Sequence, residues 1–179
     1  WCCRHRGARG RTRKGWSEAS EVDKRQIETP LRAPSVADGR QVLRRNLVRD
    51  ADMGFTFHGS PEIEYYYDTG EPDERARIDR SSYFDQTSVD GVGADLRRDT
   101  VLTLEKMGIP VKHSHHEVGF DQHEIDLRLT TALPMADSMI TFTLIAKELA
   151  ASEVALATFM PRPVRQRHRR GMQTPMWSV

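Results

Sequence analysis

The chain is poor in the features that mark several protein classes. Its two cysteines are adjacent, Cys2 and Cys3, a spacing that fits neither a Cys-x-x-Cys redox pair nor a zinc knuckle and that excludes a disulfide scaffold. No stretch approaches the roughly 20 consecutive apolar residues a membrane span needs, and the N-terminus lacks the apolar segment of a secretory signal. A soluble chain is therefore expected. No internal repeat is visible, and collagen and coiled-coil patterns are absent. Methionine does not occur before Met53 and the first residue is Trp1, so a fragment of a longer coding sequence is expected.

Acidic residues are missing from both ends. Residues 1–14 carry six basic side chains and no acid, and residues 162–170 carry five arginines and no acid. The interior therefore holds 16 basic against 26 acidic residues, a balance of −10 concealed by the overall charge of +1. Basic tails could serve as nucleic-acid arms, but neither interleaves aromatics or shows a helical stripe, so no nucleic-acid partner is inferred. The acidic interior is more informative, because an excess of carboxylates points to cations or cationic substrates.

At 179 residues, 37% of them hydrophobic, the chain has material for one core. Residues 1–37 show no sustained period and are rich in Arg, Gly, Ser, Thr and Pro, which predicts disorder. A helix is predicted over 38–53, with Asp38 as N-cap, Val42, Leu43 and Leu47 as a narrow apolar stripe, and Gly54 as the stop. The pattern then turns β-like, and a strand is expected after the break at Gly59-Ser60-Pro61. Residues 69–82 read as a solvated loop, with Tyr83-Phe84-Asp85 ending it against the core. A second helix is predicted over 90–107, strands over 109–118 and 123–129, and a third helix over 133–152 entered through Pro134. The apolar residues of that last helix cover much of its circumference, which predicts a central core helix. A short buried strand is expected over 155–160, after which the pattern is lost. The order of elements predicts an α+β fold, an antiparallel β-sheet with helices packed on one side.

Two groups of carboxylates stand out. Glu62 and Glu64 lie two apart on the predicted strand, so both project from one face while Ile63 and Tyr65 point to the other. In the second group, a chain reversal about Phe120 and Asp121 would set Glu117 opposite Glu124. Like charges facing each other across strands are destabilising, which suggests a cation that offsets the repulsion. Taken alone, each group also fits the wet face of a sheet. Four oxygen donors suit a hard ion such as Mg²⁺ or Mn²⁺ better than zinc. His115, His116 and His123 near the same turn read as surface groups or as supports behind the ligands.

These residues carry a resemblance. The stretch from Gly54 through Pro61-Glu62-Ile63-Glu64, then Tyr83-Phe84-Asp85-Gln86, Leu96-Arg97-Arg98-Asp99, Leu104-Glu105-Lys106-Met107-Gly108, Ser114-His115-His116-Glu117-Val118, Gln122-His123-Glu124-Ile125-Asp126 and Ala157-Thr158-Phe159-Met160-Pro161 together resemble the first part of the catalytic domain of class I, bacterial-type glutamine synthetase. The ordered matches span residues 38–163, leaving 1–37 and 164–179 as disordered or divergent flanks that read like out-of-frame translation.

The resemblance implies ATP-dependent joining of ammonia to glutamate through γ-glutamyl phosphate at a two-metal site, in homo-oligomeric stacked rings, typically dodecamers. By position it implies Glu64, Glu117 and Glu124 as ligands of the Mg²⁺ or Mn²⁺ ion nearer glutamate and ammonia, and Glu62 as a ligand of the ion nearer ATP. A γ-glutamyl-amine ligase of the same family and a non-catalytic metal-binding relic are the alternatives.

The departures matter as well. Gln173 and Pro175 stand where the family has two histidines, the first of which ligates the ATP-side metal. Glutamine cannot supply imidazole ligation. Asp121 replaces a usual turn glycine, Ser81-Ser82 a glycine pair, and Lys112 a common acidic residue. The N-terminal β-grasp domain of the family is absent or unrecognisable, and the chain ends before the later arginines, the flap and the last metal-ligating glutamate. Turnover by this chain alone is not expected.

Overall fold

A computed structural model describes residues 27–31, 33–68, 83–84, 91–153, 155–163 and 168–179. Of the predicted disorder over residues 1–37, residues 1–26 and Arg32 lie outside the described residues, as do the predicted loop over 69–82 and Asp85. Residues 1–46 and 47–179 form two compact units, the division falling inside the first helix.

In the first unit Glu28 and Pro34 form an isolated antiparallel bridge. Helix α1 (Gly39–Asp52) begins as expected: the Asp38 carboxylate accepts the Arg40 N–H at 3.1 Å, the N-cap bond that satisfies one of the helix's unpaired donors. Gly54 adopts φ 88° just past its end, a conformation glycine takes without steric cost. None of its residues is buried, so the narrow stripe does not make a core face.

The second unit is built on two antiparallel sheets. The larger contains β2 (Glu62–Asp68), β3 (Val111–His116), β4 (Gln122–Leu127), β6 (Leu156–Thr158) and β7 (Met172–Gln173), in the order β3-β4-β2-β6. One edge of β2 carries β4. The other edge is shared by β6, opposite Tyr66–Asp68, and β7, opposite Glu62–Ile63. The smaller sheet orders β5 (Thr130–Thr131), β1 (Phe57–Gly59) and β8 (Met176–Ser178). Past Met160 the sequence shows no pattern, yet β7 and β8 return there to pair with β2 and β1. Of the short strand expected over 155–160, β6 occupies 156–158, and only Ala157 in it is buried.

Helix α2 (Val92–Lys106) ends in a Schellman motif: the Ile109 N–H reaches Leu104 O at 2.9 Å and Gly108, at φ 81°, donates to Glu105 O at 3.0 Å. Helix α3 (Ala132–Ser152) starts from an extended Thr131, with Pro134 in its first turn as predicted. Both helices cover one face of the larger sheet. There Ile63, Tyr65 and Tyr67 of β2 and Ile125 and Leu127 of β4 meet Leu96 and Leu104 of α2 and Met135, Phe142, Ala146 and Ala150 of α3. Tyr65 stacks on Phe159 at 5.4 Å and meets Phe142 edge-on at 5.6 Å. As expected, α3 is a core helix, though it is not buried all round. Ile140 and Leu144 are half exposed, whereas Ala146 and Ala150 are buried in the core. No helix among the described residues is long and apolar enough to cross a membrane.

Candidate metal centre

Strand alternation puts the glutamates of β2 opposite the core. Ile63, Tyr65 and Tyr67 are buried, so Glu62 and Glu64 point to the other face and are only half-buried. The register with β4 then brings Glu64 beside Glu124 and Glu62 beside Asp126. On its other side Glu62 faces Gln173 of β7.

The β3–β4 hairpin differs from the sequence-based expectation. Glu124 lies opposite His115, not opposite Glu117, and His116 lies opposite His123. The reversal is centred one residue earlier, between Gly119 and Phe120: the Glu117 N–H donates to Gln122 O at 2.7 Å, and the Gln122 N–H to Gly119 O at 3.1 Å. Two devices tighten this loop. Asp121 sits at φ 58°, the left-handed conformation that aspartate tolerates better than most residues. The Gln122 side chain also captures the Gly119 N–H at 2.9 Å. The slip is by an even number of residues, so Glu117 stays on the face of Glu124, as its diagonal rather than its direct neighbour.

Ligand atoms of His115, Glu117 and Glu124 all lie within 4.8 Å of one another, the one such group among the described residues. His115 Nε2 is 3.6 Å from Glu117 Oε1. Glu64 flanks the group beside Glu124, and the Glu117 charge acts on it, whereas Glu62 stands apart, between Asp126 and Gln173. The sequence reading therefore included Glu117 and Glu124 of the compact group and missed His115. The three histidines are buried, not on the surface. The available signal was spacing: His115 is two before Glu117 and shares its face of β3.

The electrostatics show what convergence costs. Burial, then hydrogen bonding to Asp126 and Glu117 and the charges of both, push the Glu124 carboxyl up to about 9. Burial also raises Glu64, with the Glu117 charge adding to it, opposed by hydrogen bonds from Gly171 N–H and Gln122. Burial lowers His115, only partly offset by Glu117 and Asp126, which favours the neutral imidazole that a metal requires. Behind this layer, the buried Arg97 guanidinium donates to His123 Nδ1 at 2.7 Å. Burial and Arg97 hold His123 far below its ordinary value, in the neutral form that accepts this bond. His116 donates from Nδ1 to Glu117 O at 2.6 Å and so anchors the backbone at the end of β3.

Two carboxylates and a neutral imidazole, with a third carboxylate at the flank, make an oxygen-rich donor set for a hard divalent cation. Without one, the repulsion is relieved by a proton on Glu124. The residues present thus fit one such ion. At the Glu62 position the partner is the Gln173 amide, a poorer donor.

Comparison with known proteins points the same way. The family described as glutamine synthetase, catalytic domain, matches residues 36–176. The chain is similar to the glutamine synthetase of Mycolicibacterium smegmatis, with 43% identity over 155 residues, covering 84% of this chain and 34% of that protein. It is also similar to the glutamine synthetase of Thermotoga maritima, 38% identical over 141 residues, covering 76% of this chain and 32% of that protein. Among solved structures, the cryo-EM structure of Plasmodium falciparum glutamine synthetase superposes with a TM-score of 0.72 at 20% identity, covering 84% of this chain and 36% of that one. A structure of apo GmaS superposes with a TM-score of 0.65 at 21% identity, covering 87% and 41%. At these identities the structural likeness speaks for the fold. The chain spans about a third of the length of the curated relatives it matches.

Proposed function

Because the chain belongs to the glutamine synthetase catalytic-domain family, we propose that it forms part of a glutamate–ammonia ligase, which joins ammonia to the side-chain carboxylate of glutamate at the expense of ATP. In this reading Glu64, Glu117 and Glu124 hold the Mg²⁺ or Mn²⁺ ion on the glutamate side, and Glu62 contributes to the ATP side. Bound divalent ions there would supply charge stabilisation for phosphoryl transfer and orient the glutamate carboxylate. The chain's own residues prepare the site. The tyrosine face of β2 seats the strand on the core, β4 carries Glu124 beside Glu64, and the tight turn holds Glu117 diagonal to Glu124. His115 stays neutral and adds a nitrogen at the same point. A cytoplasmic location and assembly into rings belong to the same proposal.

The observation that carries this reading is the gathering of His115, Glu117 and Glu124 within 4.8 Å, next to Glu64, in a chain of this family. One observation favours a narrower role for this chain by itself. Gln173, opposite Glu62, replaces the imidazole the family uses for its second ion, so we infer binding of one cation without turnover. Titration calorimetry with Mn²⁺ and a γ-glutamyl transferase assay test both parts. One bound ion and no turnover is the expected result. No Mn²⁺ binding at all would overturn the metal reading, and turnover at the rate of an intact family member would overturn the inactivity.

A further inference from the structure

The side chain of Gln122 is enclosed, 2% exposed, and all its hydrogen-bonding capacity is used. Its Oε1 accepts the Gly119 N–H at 2.9 Å and the Tyr66 hydroxyl at 2.8 Å. The backbone N–H can only donate, so the amide cannot be turned over without losing that bond. Nε2 is therefore directed the other way, donating to Glu64 Oε2 at 2.7 Å and to Arg169 O at 3.4 Å.

The same Glu64 oxygen accepts the Gly171 N–H at 2.6 Å. Both donors thus meet Oε2, whereas no hydrogen bond among the described residues reaches Oε1. Gly171 keeps that oxygen uncovered, because a Cβ at this position would stand 2.6 Å from Oε1. Gly119 has the matching role at the other end: a Cβ there would stand 2.5 Å from Gln122 Oε1 and 2.7 Å from Tyr66 Oη.

We propose that Gln122 is a positioning residue that fixes the rotation of the Glu64 carboxylate, so that one oxygen is occupied by N–H donors and the other is presented to a divalent cation. The inference rests on the metal reading above and names a group that acts through a ligand. Gln122 also joins the turn to the site: the amide that tightens the Glu117–Gln122 loop is the one that aims Glu64. Residues behind metal ligands commonly contribute about 10–100-fold in metal affinity.

A double-mutant cycle on the full chain tests it, with the Mn²⁺ dissociation constant read by calorimetry and by the electron paramagnetic resonance of free Mn²⁺. Gln122→Met is expected to weaken Mn²⁺ binding about 10–100-fold, but less than about 3-fold when introduced into Glu64→Gln, since the residue it orients is then gone. Equal weakening in both backgrounds would overturn the proposal, because Gln122 would then act through the turn alone. Unchanged affinity of Gln122→Met would overturn it outright. Should that variant fail to fold, Gln122→Asn, which keeps the amide but shortens its reach, is measured in the same cycle with the same two expectations. Absence of Mn²⁺ binding by the unsubstituted chain overturns the metal reading itself and is distinguished by that control.

Discussion

Replacing Glu124 by glutamine perturbs the site in two directions that are measured separately. The group keeps its proton up to about pH 9, against an ordinary value of 4.5. Near pH 7.5 the folded chain therefore holds a proton that the unfolded chain has released. At about 1.36 kcal/mol per unit over roughly three units, this costs at most ~4 kcal/mol. Glu124 is only half-buried, so solvent screening reduces the figure to ~1–2 kcal/mol. The sign follows from proton counting. The folded state binds more protons than the unfolded one between pH 4.5 and about 9, so the stabilisation is complete below that window and is lost as pH rises through it. Glutamine has no proton to hold, so Glu124→Gln should stabilise the metal-free chain near pH 7.5 by ~1–2 kcal/mol, or about 2–8 °C in Tm for a chain of this size. It should also flatten the decline toward alkaline pH.

Mn²⁺ reverses the order. At a hundredfold excess over its dissociation constant a cation stabilises the unsubstituted chain by ~2.7 kcal/mol, and the variant, one anionic donor short, gains little. Thermal denaturation by circular dichroism, with and without Mn²⁺ at several pH values, should therefore show the two proteins exchanging rank. A metal-free variant less stable than the parent, or an equal gain from Mn²⁺ in both, would refute the argument that repulsion among these carboxylates is what the cation relieves.

Other perturbations reach other layers of the molecule. Phe142→Ala removes a fully buried ring that packs on Tyr65 and Phe159, and chemical denaturation should show a loss of ~3–5 kcal/mol. Gly119→Ala drives a methyl group into Gln122 Oε1 and Tyr66 Oη, and a loss of ~1–3 kcal/mol is expected, accompanied by faster amide exchange at Glu117, whose N–H closes the turn. Gln173→His places an imidazole opposite Glu62, and calorimetry should then count two Mn²⁺ ions where the parent binds one. A stoichiometry that stays at one would mean that the ATP-side position lacks more than its histidine.

The positions of α2 and α3 were legible because each is announced locally, by an apolar period of 3.6 residues with Gly108 past one end and Pro134 near the start of the other. The two faces of β2 were legible for the same reason. Alternation is a property of the strand itself, so Ile63, Tyr65 and Tyr67 declare the core side and Glu62 and Glu64 the opposite one, whatever the neighbours are. The family resemblance rested on ordered short motifs, which also belong to the chain alone.

Tertiary structure decided the rest. Hairpin register depends on how the turn closes, and here a left-handed Asp121 and an inward-turned Gln122 amide moved the reversal by one residue and set His115, not Glu117, across from Glu124. The pairing of β7 with β2 and β8 with β1 joins segments about 110–120 residues apart in sequence, a separation over which loop-closure entropy leaves no local trace. The Glu64 carboxylate is aimed by donors from Gln122 and Gly171, on two strand ends distant in sequence. The chain's periodicities determined which side chains share a face, because alternation and helical pitch are local. Which of them touch one another was settled only by turns and long-range pairing, because those are bonds between segments that no local pattern encodes.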